Sequence, residues 1–112
     1  MSTASPPGRI SPDALAQLEA SAAQAARLMK MLANEQRLIL MCRLSEGECS
    51  VGDLAEHVGL AQSAASQHLS KLRAEGLVAT RRDAQSIFYR LSDPNAARVI
   101  ALLCELFKRG EA

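Results

Sequence analysis

The sequence has few aromatic residues, an odd number of cysteines and almost no net charge. Aromatics make up 3% of the 112 residues and tryptophan is absent. The core must therefore consist of leucine, alanine, isoleucine, valine and methionine, a mixture that favours helices. Three widely spaced cysteines do not suggest the disulfide framework of a secreted protein. The net charge of +1 excludes a global basic field, although a local basic stripe is still compatible with it.

Signals for a membrane, for export and for catalysis are missing as well. The longest apolar runs are far shorter than a membrane span, and the N-terminal stretch MSTASPPGRI lacks the apolar segment of a secretory signal. We find no nucleophile–base constellation, no phosphate-binding glycine loop and no paired carboxylates on one helix face. We therefore expect a cytoplasmic protein that is not an enzyme, has no small-molecule substrate or cofactor, and does not bind a membrane.

The length indicates one domain with tails. Residues 1–10 combine serine, threonine, proline and glycine without apolar periodicity, and we interpret them as a disordered tail. The domain is expected to span residues 11–109.

Ser11 and Pro12 predict the start of a helix that continues to Leu32. Its apolar residues alternate at spacings of three and four: Leu15, Leu18, Ala22, Ala25, Met29 and Leu32. This seam packs inside the domain or against a second copy, and we favour a homodimer.

Three further helices are predicted in the middle of the chain. Asn34 can cap a helix that continues to Leu44, and Ser50 opens a short helix with a stripe of small apolar residues. A turn over residues 59–61 leads into the stretch LAQSAASQHLSKLRAEG, residues 60–76. Two short helices joined by a glycine-containing turn match the outline of a helix-turn-helix.

The helix over residues 60–76 has two different faces. Ala65, Leu69 and Leu72 share the spacing of a buried stripe. The opposite face holds no acidic residue, and its polar members are Ser63, Ser66, Gln67, Ser70 and Lys71. Hydroxyls and carboxamides can bond to base edges and phosphate oxygens without repelling them. The alternative is an ordinary solvated helix face.

The apolar period changes to two after Gly76. Residues 77–80 and 86–91 are predicted strands, and residues 81–85 are the turn between them. Arg81, Arg82 and Gln85 lie in that turn, which is either a solvated turn or a basic tip that reaches DNA phosphates. A hairpin directly after a helix-turn-helix is a winged helix. We therefore predict a mainly α fold with a small β-hairpin, a winged helix-turn-helix that dimerises through its first and last helices. The last helix is expected over residues 95–108.

Three motifs resemble the ArsR/SmtB family of bacterial winged-helix repressors: MLANEQRLILMCRL, SVGDLAEHVGLAQSAASQHLSKLRAEGLV and TRRDAQSIFYRL. They are most similar to the branch of NolR-like and HlyU-like regulators. The resemblance implies a homodimer that binds a palindromic operator in double-stranded DNA and represses transcription. It also implies that Gln62, Ser63, Ser66 and Gln67 contact DNA and that Arg81, Arg82 and Gln85 form the wing. One departure is Ala61, where relatives often have a capping serine.

The ligands of the family's metal sites are largely missing. The segment that would need a pair of thiolates holds Cys49 alone, and Asn95 and Leu106 stand at two ligand positions of the other family site. We therefore predict no metal site. HlyU-like relatives use two cysteines as a redox or persulfide switch. Cys42 matches the first position, and Cys104 lies one helical turn before the second. The two thiols form such a switch, or they are small buried hydrophobes.

We therefore predict a dimeric DNA-binding repressor whose DNA binding is controlled through the thiols of Cys42 and Cys104. Two alternatives stay open from the sequence. One is a constitutive repressor without an effector. The other is a winged-helix module that uses the same surface to bind a protein, an alternative that the acid-free helix face disfavours.

Overall fold

The computed structural model describes residues 8–108, so most of the predicted disordered tail lies outside the described residues. The chain divides into two compact units with a boundary between Lys30 and Met31. The first unit holds α1 (Pro12–Ala20) and most of α2 (Ala22–Leu32). In the part of the chain that is described, no helix has the length and apolar character required to cross a bilayer.

The predicted continuous helix from Pro12 to Leu32 is wrong in one respect, because Ser21 interrupts it. Ser21 has φ −109° and ψ 17°, and its amide donates to the carbonyls of both Gln17 and Leu18. The next helical hydrogen bond begins at the Ser21 carbonyl, which accepts from Ala25 N. Serine competes for backbone hydrogen bonds and is a weak residue inside a helix. A single non-helical residue leaves the apolar phase almost unchanged, so the periodicity could not reveal the break.

The second unit builds a helical core with a three-stranded sheet at one side. Its helices are α3 (Glu35–Leu44), α4 (Val51–Val58), α5 (Gln62–Ala74) and α6 (Pro94–Leu106). The strands are β1 (Cys49–Ser50), β2 (Val78–Asp83) and β3 (Ser86–Leu91), in the antiparallel order β1-β3-β2. Helix α3 packs against α4, α5 and α6, and its buried residues are Leu40, Met41 and Leu44. The winged helix-turn-helix fold predicted from the sequence is confirmed.

Helix ends follow the local signals in the sequence. Asn34 Oδ1 accepts from Arg37 N, Ser50 Oγ accepts from Asp53 N, and Asp93 Oδ1 accepts from Asn95 N. These side chains satisfy amides that have no partner inside their helix.

Strand β1 and the length of β2 differ from the sequence-based expectation. Cys49 and Ser50, for which the sequence indicated no strand, pair with Tyr89 and Phe88 of β3. Strand β2 continues to Asp83, so Arg81 and Arg82 lie in a strand rather than in the turn. The hairpin turn is left to Ala84 and Gln85, and Ala84 has a φ of +58°. Alanine carries a steric penalty in that left-handed region, and no glycine was present to indicate a tight turn here.

Candidate nucleic-acid interface

Helix α5 begins after a tight turn that Gly59 makes possible. Gly59 ends α4 with φ +73°, a conformation that costs glycine little. Leu60 N then donates to the Ala55 carbonyl at 2.9 Å, which closes the turn. Ala61 occupies the cap position of α5 and makes no side-chain hydrogen bond. The first amides of α5 are therefore left without a side-chain partner from the cap residue.

The apolar side of α5 is fully buried, as the spacing predicted. Ala65, Leu69 and Leu72 are each 0% exposed. They belong to the core that α3, α4 and β2 share with α5. This burial fixes the rotation of α5 about its axis, and the opposite side must therefore face outwards.

The outward side of α5 carries the polar residues predicted as DNA contacts. Gln62, Ser63, Gln67, Ser70 and Lys71 are exposed, and Ser66 is half-buried. No acidic residue lies between Gln62 and Ala74. A cluster of hydroxyls, carboxamides and a lysine without a carboxylate offers hydrogen bonds and positive charge to a polyanion.

One contact that holds α5 was missed in the sequence. His68 Nε2 donates to Gln36 Oε1 of α3 at 2.8 Å. The two residues are 32 positions apart, so no local pattern could have linked them. The bond ties the middle of α5 to the first turn of α3.

The two arginines of the wing, which is the hairpin of β2 and β3, have different contacts. Arg81 Nε donates to both carboxylate oxygens of Glu48, at 2.9 and 2.8 Å, and the guanidinium lies 4.7 Å from the centre of the Phe88 ring. Hydrogen bonding to Arg81 lowers the pKa of Glu48. Arg82 is exposed, and in residues 8–108 its guanidinium has no ion pair or hydrogen bond. Gln85 is exposed at the turn.

The structure brings Cys42 and Cys104 together. The Cys104 Sγ lies 3.8 Å from the Cys42 Sγ, within S–H···S hydrogen-bonding distance. Cys42 is half-buried in α3, whereas Cys104 is exposed on α6, so the alternative that both are buried core residues is wrong for Cys104. Burial, together with the neighbouring Cys104 thiol, raises the pKa of Cys42 to about 11.

The side chains that could ligate a metal ion are dispersed. Cys49 is half-buried, and burial raises its pKa, with a further contribution from the Asp53 carboxylate. Among residues 8–108, no three histidine, cysteine or acidic side chains lie close enough together to hold a metal ion.

Comparison with known proteins identifies a family of bacterial regulators. Residues 34–80 match the model of the family described as bacterial regulatory protein, arsR family. The chain is 46% identical to the transcriptional activator HlyU of Vibrio cholerae over 93 residues, which cover 83% of this chain and 86% of the relative. It is 47% identical to the nodulation protein NolR of Rhizobium meliloti over 83 residues, or 74% and 68% of the two chains.

Solved structures agree with this match. The transcriptional repressor BigR from Xylella fastidiosa superposes with a TM-score of 0.81 at 41% identity, covering 86% of this chain and 98% of that chain. The resemblance to NolR-like and HlyU-like regulators inferred from the three sequence motifs is confirmed.

Proposed function

Because this chain belongs to the ArsR family of bacterial regulatory proteins, we propose that it is a homodimeric, sequence-specific repressor of transcription. It is a transcriptional regulator, and DNA binding is the activity that its family and its fold support. The observation that carries the proposal is the acid-free outward face of α5 beside an exposed hairpin. The test is whether the wild-type chain enriches a defined DNA sequence from a random pool.

The proposed DNA contacts fall into two groups. Helix α5 enters a major groove, and its N-terminal residues read base edges while later ones contact phosphates. The proposed set on α5 is Gln62, Ser63, Ser66, Gln67, Ser70 and Lys71. The hairpin with Arg81, Arg82 and Gln85 lies over the neighbouring backbone or minor groove.

Repression follows from occupancy of the operator. The relative from Xylella fastidiosa is described as a repressor and the one from Vibrio cholerae as an activator. We favour repression because a dimer seated on two successive major grooves excludes other proteins from that stretch of DNA.

The apolar surface of α6 supports the homodimer. Leu102 and Leu106 lie one helical turn apart and are 55% and 63% exposed, and Phe107 follows with 79%. An exposed apolar patch of this kind is typical of a protein–protein contact. We propose that α6 packs against a second copy, so that the palindromic operator mirrors the twofold axis of the dimer.

Replacing Leu106 with glutamate is expected to weaken the dimer. Because the change occurs in both copies of a symmetric contact, we expect a loss of about 3 kcal/mol, roughly a hundredfold in the dissociation constant. Sedimentation equilibrium measures this directly. Leu106→Met, which keeps an apolar side chain of similar size, is the control and should stay dimeric. A Leu106→Glu chain that dimerises as well as the wild type would exclude α6 from the contact.

The adjacent thiols suggest how DNA binding is controlled. A disulfide would bring the two sulfur atoms about 1.8 Å closer than their present separation. Both thiols would lose a proton, and the two electrons would pass to an oxidant such as a peroxide. A polysulfide would instead insert sulfane sulfur between the two thiols, while another of its sulfur atoms accepts the two electrons and the two protons and leaves as hydrogen sulfide. Exposed Cys104 would react first, because the raised pKa keeps Cys42 protonated at neutral pH.

A bridge between Cys42 and Cys104 would change how well the dimer fits the spacing of the operator half-sites. It would tie α3, which packs on the helix-turn-helix, to α6, which carries the proposed dimer contact. A shift of α3 against α6 changes the distance between the α5 helices of the two copies. That distance must match about one turn of DNA.

Oxidant or polysulfide is therefore expected to release the wild-type protein from its operator. Release should be lost in Cys42→Ser and in Cys104→Ser, because each lacks one half of the bridge. It should persist in Cys49→Ser, the matched control. Footprinting with and without the reagent measures all four proteins. Release that survives Cys42→Ser would eliminate the thiol switch, and no release from the wild type would identify a constitutive repressor.

A further inference from the structure

The guanidinium of Arg81 contacts three groups of the protein, although the Arg81 side chain is 48% exposed. Glu48 holds Nε through both carboxylate oxygens, at 2.9 and 2.8 Å. The ring of Phe88, which is paired with Arg81 across the strands, lies 4.7 Å from the guanidinium carbon. Asp83 Oδ2 is 3.8 Å from Nη1. The positive charge of Arg81 is therefore already matched by two carboxylates and one aromatic face.

The ion pair between Glu48 and Arg81 connects the two edges of the sheet. Glu48 immediately precedes β1, at one edge of the sheet, whereas Arg81 lies in β2 at the other edge. The ion pair crosses the central strand β3 over Phe88 and links both edges. Strand β1 is only two residues long, and a two-stranded hairpin is marginally stable in water. The pair therefore supplies a tie between the hairpin and the segment that leads into α4.

Arg82 is placed differently from Arg81. It is paired with Ile87, and successive residues of a strand point to opposite faces. It therefore lies on the opposite face from Glu48 and Phe88. No carboxylate within residues 8–108 forms an ion pair with it, so its charge is available to a phosphate.

We infer that Glu48 and Arg81 are positioning residues that hold the wing, and that Arg82 is the wing's phosphate contact. The inference rests on the proposed DNA binding and refines it, because it divides two adjacent arginines into different roles. A phosphate bound at Arg81 would have to displace Glu48 and then lie beside its negative charge. Within residues 8–108, Arg82 has no carboxylate partner that a phosphate would have to displace.

The experiment compares five variants by their affinity for the selected operator over a range of salt concentrations. They are Glu48→Ala, Arg81→Ala, the double variant Glu48→Ala/Arg81→Ala, Arg82→Ala and Glu46→Ala. Glu46 is the matched control, because it is an exposed acid two residues from Glu48 whose partner is Arg43 at 3.3 Å. Removing either acid changes the net charge equally, so their difference reports the contacts that Glu48 makes, first of all the one with Arg81.

We expect Glu48→Ala and Arg81→Ala each to weaken binding by up to about fivefold, the range of an exposed ion pair. The double variant should lose no more affinity than either single variant. The salt slope, which is the slope of the logarithm of the affinity against the logarithm of the salt concentration, should stay at the wild-type value in all three variants. Arg82→Ala should flatten the slope by about 0.9, the contribution of one phosphate contact. Glu46→Ala should bind at least as well as the wild type.

A second readout does not require DNA. Amide hydrogen exchange in β3 should be faster in Glu48→Ala than in Glu46→Ala, because the hairpin loses its tie. Equal exchange in the two would overturn the positioning role.

The opposite binding result would also overturn the inference. If Arg81→Ala flattens the salt slope as much as Arg82→Ala and Glu48→Ala binds more tightly, Arg81 contacts phosphate and Glu48 competes for it. DNA binding by the wild type would then still stand. A wild type that binds no DNA at any salt concentration would contradict the proposed function and this inference together.

Discussion

Gln67→Ala is expected to weaken binding to the selected operator by about 1–3 kcal/mol, roughly fivefold to 150-fold, and to leave binding to random DNA almost unchanged. Gln67 is exposed in the middle of α5, on the side opposite the buried Leu69. A glutamine carboxamide can both donate to and accept from an adenine edge, so its loss removes base discrimination. Equilibrium titration of the two DNAs measures the effect.

Lys71→Ala is the contrasting variant for this prediction. Lys71 is exposed on the same face of α5 but carries a charge rather than a carboxamide. Its loss should weaken binding to operator and random DNA alike and reduce the salt slope by about one. If Gln67→Ala instead loses the same factor on both DNAs, Gln67 does not read bases.

Leu69→Ala is expected to lower the free energy of unfolding by about 2–5 kcal/mol. The Leu69 side chain is 0% exposed, so its truncation leaves a cavity between α5 and the core. The free energy of unfolding of a small domain is about 5–15 kcal/mol, and the variant would lose a large part of it. Urea denaturation followed by circular dichroism measures the change.

Leu69→Met is the control, because it roughly conserves volume and should cost less than about 1.5 kcal/mol. A loss below about 1 kcal/mol for Leu69→Ala would mean that the core does not hold α5. The rotation of its polar face would then have another cause, and the assignment of Gln67 would lose its structural basis.

Features that depend on neighbouring residues were predictable from the sequence. The caps at Asn34 and Ser50 use side chains that bond amides three positions ahead, and both are present. The buried stripe of α5 follows from helical spacing alone, and Leu69 and Leu72 are where it placed them. The uncapped start at Ala61 was equally readable, because alanine has no side-chain acceptor. In each case the physical cause lies within one or two helical turns.

Features that depend on distant residues were not predictable in the same way. The partner of Arg81 is 33 positions away, so no local pattern in the sequence pairs the two charges. Strand β1 is too short to show a period of two, and it exists because β3 offers an edge to pair with. Cys42 and Cys104 are 62 positions apart. Resemblance and helical phase suggested their approach, but only the packing of α3 on α6 brings the sulfur atoms into contact.

The proposed regulator therefore has its reading surface and its control site on different elements of one small unit. The polar face of α5 and the hairpin are the proposed DNA contact, whereas the thiols of Cys42 and Cys104 lie where α3 packs on α6. Helix α3 packs on both α5 and α6, so it is the element through which a change at the thiols would reach the reading surface.

Selection of DNA from a random pool by the wild-type chain tests the central claim, that the polar face of α5 reads a DNA sequence. We expect an inverted repeat whose half-sites lie about one helical turn apart, roughly 10 base pairs. The enriched duplex should bind at least about a thousandfold more tightly than a random duplex of the same length. If no sequence is enriched and retention on DNA does not change with salt, the claim is contradicted, and the same surface would instead bind a protein.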